Sequence, residues 1–111
     1  MDITGWRRKI DEIDTAMLHL LNLRAELAIE VARMKAHEGV ALRTPARERE
    51  IIARMKQLNP GPFDGRAVAR IYQLILSESN RNQELHCRPV AARKGAAAKR
   101  RPAVRQGITR P

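Results

Sequence analysis

Arg24 stands where the helical periodicity of its neighbours calls for an apolar side chain. Ile3, Trp6, Ile10, Ile13, Met17 and Leu20 recur at spacings of three and four, and Leu27, Val31 and Met34 continue the rhythm. Together they make one apolar stripe on a long helix. A guanidinium keeps its proton and is costly to bury unpaired, so an anion should meet Arg24. That anion is either a carboxylate of the protein or a ligand. Lys35 lies eleven residues further on. At about 100° per residue this is close to three full turns, which puts both residues on nearly one face with their Cα atoms about 16 Å apart. Two long side chains at that separation can converge on one small anion.

Further polar residues interrupt apolar faces elsewhere. Glu48 precedes Ile51 and Ile52 by three and four residues, and Ser79 and Gln83 extend the stripe of Tyr72, Ile75 and Leu76. Each has an ordinary structural account. Glu48 can be the internal partner of Arg24, and Lys35 can snorkel to water near its helix end. Ser79 can bond back to its own helix, and Gln83 can lie at a frayed end. Taken together, Arg24, Lys35, Glu48, Ser79 and Gln83 point to a polar cavity inside an apolar bundle. Arg7 precedes Arg24 by 17 residues, about 25 Å along a helix, too far to serve the same small site within one chain. In an antiparallel two-fold dimer it can reach the partner's cavity. The alternative is a surface arginine beside Arg8 and Lys9.

The elements that must position these groups are all helical. The first helix is predicted from about residue 3 to about residue 37, roughly 50 Å long, with Gly39 as its stop. A helix of that length with one apolar stripe exposes too much surface for a monomer, and partner helices from a second chain are its natural cover. Thr44 is a good N-cap for a second helix, with Pro45 at its first position and Glu48 in its first turn. Its apolar face is Ile51, Ile52, Met55 and Leu58, and Asn59-Pro60-Gly61-Pro62 ends it. Asp64 can cap a third helix, whose stripe is Val68, Ile71, Tyr72, Ile75 and Leu76 and which is expected to run to about residue 86. No strand pattern, Gly-rich phosphate loop or internal repeat is evident.

Composition narrows the function classes. The formal net charge is +10, but residues 86–111 hold eight of the 22 Lys and Arg and none of the 12 acids, so residues 1–85 carry 14 − 12 = +2. The basic character therefore belongs to a tail, read as 88–111 and as disordered because too little apolar mass is present to offset ordering entropy. Any attraction to nucleic acid is expected through that tail alone. Aromatics are limited to Trp6, Phe63 and Tyr72, which offers no platform for stacking bases. A single cysteine, Cys87, makes no intramolecular disulfide, and His86-Cys87 is read as tail chemistry of no consequence. No run is long enough for a membrane span and the N-terminus lacks a signal-peptide core, so a cytoplasmic protein is expected.

Three segments carry a resemblance. Trp6-Arg7-Arg8-Lys9-Ile10-Asp11-Glu12-Ile13-Asp14, then Leu20-Leu21-Asn22-Leu23-Arg24, then Ala28-Ile29-Glu30-Val31-Ala32-Arg33-Met34-Lys35 resemble the helical (AroQ-type) chorismate mutases. The likeness continues through Pro45-Ala46-Arg47-Glu48-Arg49-Glu50 and Ile71-Tyr72-Gln73-Leu74-Ile75-Leu76-Ser77-Glu78-Ser79. It covers roughly residues 3–85 and implies a 1–87 helical domain of three-helix, all-α chains in an intertwined homodimer with two equivalent sites. There chorismate would rearrange to prephenate on the route to phenylalanine and tyrosine. The resemblance implies that Arg24 and the partner's Arg7 hold the two substrate carboxylates. Lys35 and Gln83 would face the ether oxygen. Glu48, with backbone near Thr44, would hold the ring hydroxyl, and Arg47 and Ser79 would complete the pocket. Family members often carry Asp where this chain has Thr44, which is expected to tune the hydroxyl contact.

Such a rearrangement is intramolecular and calls for no metal, cofactor, nucleophile or obligatory proton transfer, and His19, His37 and His86 make no metal-ligand grouping with Cys87. It calls for a dianion held in its reactive conformer and for donors at the oxygen where charge develops. Three alternatives stay open at this stage. One is an isochorismate-pyruvate lyase on the same scaffold, another a helical nucleic-acid-binding module using the basic tail. The third is a catalytically reduced mutase that needs a partner enzyme. With no dehydratase, dehydrogenase or synthase segment recognised, a monofunctional enzyme is the expectation.

Overall fold

Local backbone chemistry sets where each helix begins and ends. The computed structural model describes residues 2–87, which form α1 (Ile3–Glu38), α2 (Pro45–Leu58) and α3 (Gly65–His86). The expected basic tail, and with it any nucleic-acid contact, lies outside the described residues. Asp2 caps α1 by accepting from the Gly5 N–H at 2.9 Å, and Asp64 caps α3 by accepting from Ala67 N–H at 2.8 Å. Gly39 ends α1 in the left-handed region at φ 75°, a conformation that favours glycine.

Thr44 departs from its expected role. It occupies the N-cap position of α2, yet its side chain makes no cap hydrogen bond. Its backbone, at φ −131° and ψ 89°, supplies only the carbonyl, which accepts from the N–H groups of Arg47 and Glu48. Its hydroxyl is engaged instead by Lys35.

The third helix is the keystone: α3 packs against both α1 and α2. Ala32 of α1, Ile51 of α2, and Val68, Leu76 and Ser79 of α3 form the buried interior. Leu58, expected on the apolar face of α2, is exposed at the end of that helix. Cys87 is a second correction. It is only 2% exposed, its backbone N–H caps α3 on the Gln83 carbonyl, and its thiol donates to the Ile29 carbonyl at 3.6 Å. The residue thus docks the end of α3 onto α1.

The first half of α1 has no such cover. Trp6, Ile10, Ile13, Met17 and Leu20 are each between 52% and 64% exposed. The radius of gyration is 17.4 Å and the longest dimension 56 Å, whereas a compact chain of this length has a radius near ~13 Å. No described helix is long and apolar enough to cross a membrane.

Candidate active site

Where α3 meets the second half of α1 and the start of α2, the chain encloses a partly open cavity of about 370 Å³. Arg24 and Lys35 reach it from the two ends of one α1 face, separated by Ala28, Val31 and Ala32. Small side chains at 28 and 32 leave the room between the two cations. The turn at Gly39, fixed by Val40 N–H on the Lys35 carbonyl at 2.8 Å, brings the connecting segment back over the helix end. Leu42 and Thr44 then stand beside the Lys35 ammonium. That ammonium donates to the Leu42 carbonyl and the Thr44 hydroxyl, both at 3.4 Å. These are long bonds, and an ammonium has three donors, so Lys35 is steered while keeping capacity for a ligand.

Glu48 comes from the first turn of α2 and Ser79, Asn80 and Gln83 from α3. Glu48 does not pair with Arg24. It accepts from Asn80 Nδ2 at 2.7 Å through one oxygen and from Arg43 at 3.3 Å through the other. The Asn80 hydrogen bond is the main cause of a carboxyl pKa below its ordinary value. Burial opposes that shift, and Arg43 reinforces it by hydrogen bond and charge. Gln83 donates from Nε2 to the buried Ser79 hydroxyl at 3.1 Å, which leaves its carbonyl and a second N–H to face outward. Gln83 is therefore an ordered, half-buried residue of α3 and not a frayed end.

Seven of the eight residues singled out from the sequence line this one cavity: Arg24, Lys35, Thr44, Arg47, Glu48, Ser79 and Gln83. Arg47 sits at its rim, with its guanidinium turned to Glu50 at 3.0 Å. Arg7 is absent from the lining and lies exposed on the uncovered half of α1. Among the described residues, neither Arg24 nor Lys35 forms an ion pair. Sequence reasoning missed two lining residues, Arg54 and Asn80. Both were readable as positions. Arg54 follows Ile51 by three residues and Asn80 follows Leu76 by four, so each shares a face with a buried apolar residue.

An all-helical chain that gathers unpaired cations, one ionised carboxylate and amide donors around a small cavity is built to hold a compact polyanion. The family comparison agrees with that description: residues 6–84 match the model of chorismate mutase type II, and the chain belongs to that family. A chorismate mutase of Methanocaldococcus jannaschii is 33% identical over 79 residues, which is 70% of this chain and 80% of that protein. A bifunctional chorismate mutase/prephenate dehydratase of Aquifex aeolicus is 39% identical over 75 residues. The match takes in 64% of this chain and 21% of that relative, so the chain spans about a fifth of the length of the bifunctional protein. Among solved structures, form II of the Thermus thermophilus chorismate mutase superposes with a TM-score of 0.73 at 29% identity. That superposition covers 74% of this chain and 93% of the other.

Proposed function

We propose that this chain catalyses the rearrangement of chorismate to prephenate, in the cytoplasm and as a homodimer. The observation that carries the reading is the cavity itself: among the described residues Arg24 and Lys35 face it without acidic partners, opposite an ionised Glu48. Chorismate carries two carboxylates, an enol ether and a ring hydroxyl, and the groups in the cavity are complementary to them.

In this reading Arg24 and Arg7 of the partner subunit clamp the two carboxylates and hold the substrate in its folded conformer, which removes most of the orientational cost of the reaction. The ether C–O bond then breaks as the side-chain methylene carbon bonds to the ring, with no proton gained or lost. Negative charge develops on the ether oxygen. Lys35 and an N–H of Gln83 donate to it from fixed positions, so little reorganisation accompanies the charge. Glu48 accepts the ring hydroxyl beside the backbone at Thr44, while Arg47 and Ser79 close the wall. The exposed stripe of α1 supports the dimer, because covering it with the same stripe of a second chain removes a large apolar surface from water and carries Arg7 toward the partner's cavity.

The direct test is to add chorismate to the purified protein and follow its loss and the appearance of prephenate. Saturable conversion far above the uncatalysed rate is expected. Conversion at the uncatalysed rate with micromolar protein overturns the reading.

A further inference from the structure

The α2–α3 interface contains one side-chain hydrogen bond among the described residues, and it lies at the cavity wall. Asn80 Nδ2 donates to Glu48 Oε2 at 2.7 Å across 32 residues of sequence. The second restraint on that carboxylate is looser: Arg43 is 3.3 Å from Oε1, and its side chain is 58% exposed. Glu48 and Asn80 also line a second hollow between α2 and α3, shared with Arg43, Arg81 and Glu84. The pair therefore forms a partition. On one side is the cavity, and on the other a hollow where Arg43 bonds the same carboxylate and Arg81 is paired with Glu78.

We propose that Asn80 is the positioning residue of the site: its amide N–H holds one oxygen of Glu48 against α3 and so keeps the carboxylate aimed at the cavity, free to accept a substrate hydroxyl. The hydroxyl part rests on the function proposed above, whereas the positioning of Glu48 does not. Asparagine suits the task chemically. It donates without bringing a full charge, so the carboxylate stays basic toward a second donor. Without that donor, the one side-chain hydrogen bond left on the Glu48 carboxylate among the described residues is that from the exposed Arg43.

The lowered pKa of Glu48 agrees with this geometry, since its largest cause is the Asn80 bond. The charges around Glu48 come from every neighbouring element. Arg24 and Lys35 stand on α1, Arg43 on the connecting segment, Arg47 and Arg54 on its own helix, and Arg81 and Glu84 on α3. Most are cations, and a substitution at Asn80 replaces none of them. A shift seen on altering Asn80 is therefore its own effect on the carboxylate.

The experiment compares the full chain with Asn80→Asp, Asn80→Ala and Asn80→Ser by two readouts. The first is the titration of the Glu48 carboxyl carbon by NMR, assigned by its loss in Glu48→Gln. The second is the pH profile of kcat/KM for chorismate. Asn80→Asp sets a like charge against Glu48 and is expected to raise its midpoint by about one pH unit or more, carrying the acidic limb of kcat/KM with it. Asn80→Ala should raise both by less and increase KM several-fold with kcat near normal at high pH, and Asn80→Ser, which keeps a donor, should recover part of the loss. A Glu48 midpoint unmoved in the Asp and Ala variants overturns the proposal. So does an acidic limb that shifts equally in a Glu48→Gln background. If the unaltered protein does not convert chorismate, the proposed function fails, and the NMR midpoints alone decide whether Asn80 positions Glu48.

Discussion

The two halves of α1 share one apolar stripe, exposed along its whole length, but only the second half also carries a face packed into the chain's own interior. From Arg24 onward one face of the helix is packed against the rest of the chain, with Ala32 buried and Lys35 half-buried against the connecting segment, while Leu27, Val31 and Met34 of the stripe stay 53–64% exposed. Before Leu21 the same stripe stands in solvent, with Trp6, Ile10, Ile13 and Met17 all more than half exposed. The covered half carries every cavity residue that α1 contributes, and the bare half carries Arg7. The contrast teaches that one chain gathers seven of the eight candidate residues at its cavity and leaves the eighth, Arg7, on an exposed apolar surface. Hydrophobic cover is missing from the stretch of helix that carries Arg7, and in the proposed dimer a single event, pairing with another copy, would both supply that cover and bring Arg7 toward a second cavity.

The largest effect should come from charging the bare half. Ile13→Asp with Met17→Asp places four carboxylates in a two-fold interface and forfeits about 1.5–3 kcal/mol of burial per side chain. Sedimentation should show loss of the dimer, and chorismate conversion should fall to the uncatalysed rate. A stable dimer in that variant would remove the stripe from the interface. Next in size is Lys35→Ala in the covered half. It should lower kcat by about 10²–10³-fold, the usual scale for one donor to a developing oxyanion, while the sedimentation profile stays that of the dimer. Near-normal turnover would take Lys35 out of the chemistry.

A smaller effect, read by pH, tests the carboxylate of α2 that faces the packed half of α1 across the cavity. Glu48 has a carboxyl pKa lowered in the folded chain by Asn80 and Arg43. Its contribution to stability is therefore fully present above the ordinary carboxylate value, about 4.3, and is lost as pH falls through the folded value. Thermal melts from about pH 6 down to about pH 3, a window that spans the carboxylate range, should show this loss in the unaltered chain. Glu48→Gln should flatten that part of the curve, and an unchanged slope would contradict the cause given for the shift.

Helix limits were legible because they are local. Gly39, Thr44-Pro45, Asn59-Pro60-Gly61-Pro62 and Asp64 act through their own backbone, and the helices start and stop beside them. Arg24, Lys35, Glu48, Ser79 and Gln83 were legible for a related reason: a charge or amide out of phase with an apolar stripe is visible in periodicity alone, whereas Arg47 and Thr44 entered the site only through the family resemblance. What could not be read were the pairings across elements. Glu48 meets Asn80 and Arg43 instead of Arg24, the Thr44 hydroxyl turns to Lys35 instead of capping its helix, and Cys87 docks on Ile29. The Glu48–Asn80 and Cys87–Ile29 contacts depend on how far α3 is rotated against α1 and α2, and the Lys35–Thr44 and Glu48–Arg43 contacts on the path of the segment between α1 and α2. Spacing within one helix carries no information about either.

The claim that each cavity is completed by the other chain has a direct measurement. Arg7→Ala and Lys35→Ala, each nearly inactive alone, are mixed in equal amounts, unfolded and refolded together. If Arg7 acts in trans, the mixed dimer unites an intact Lys35 with an intact Arg7 at one of its two cavities. Half the dimers are mixed, so activity should return to about a quarter of that of the unaltered protein. If Arg7 acts within its own chain or has no part in the site, the mixture will show no more activity than the two variants added together.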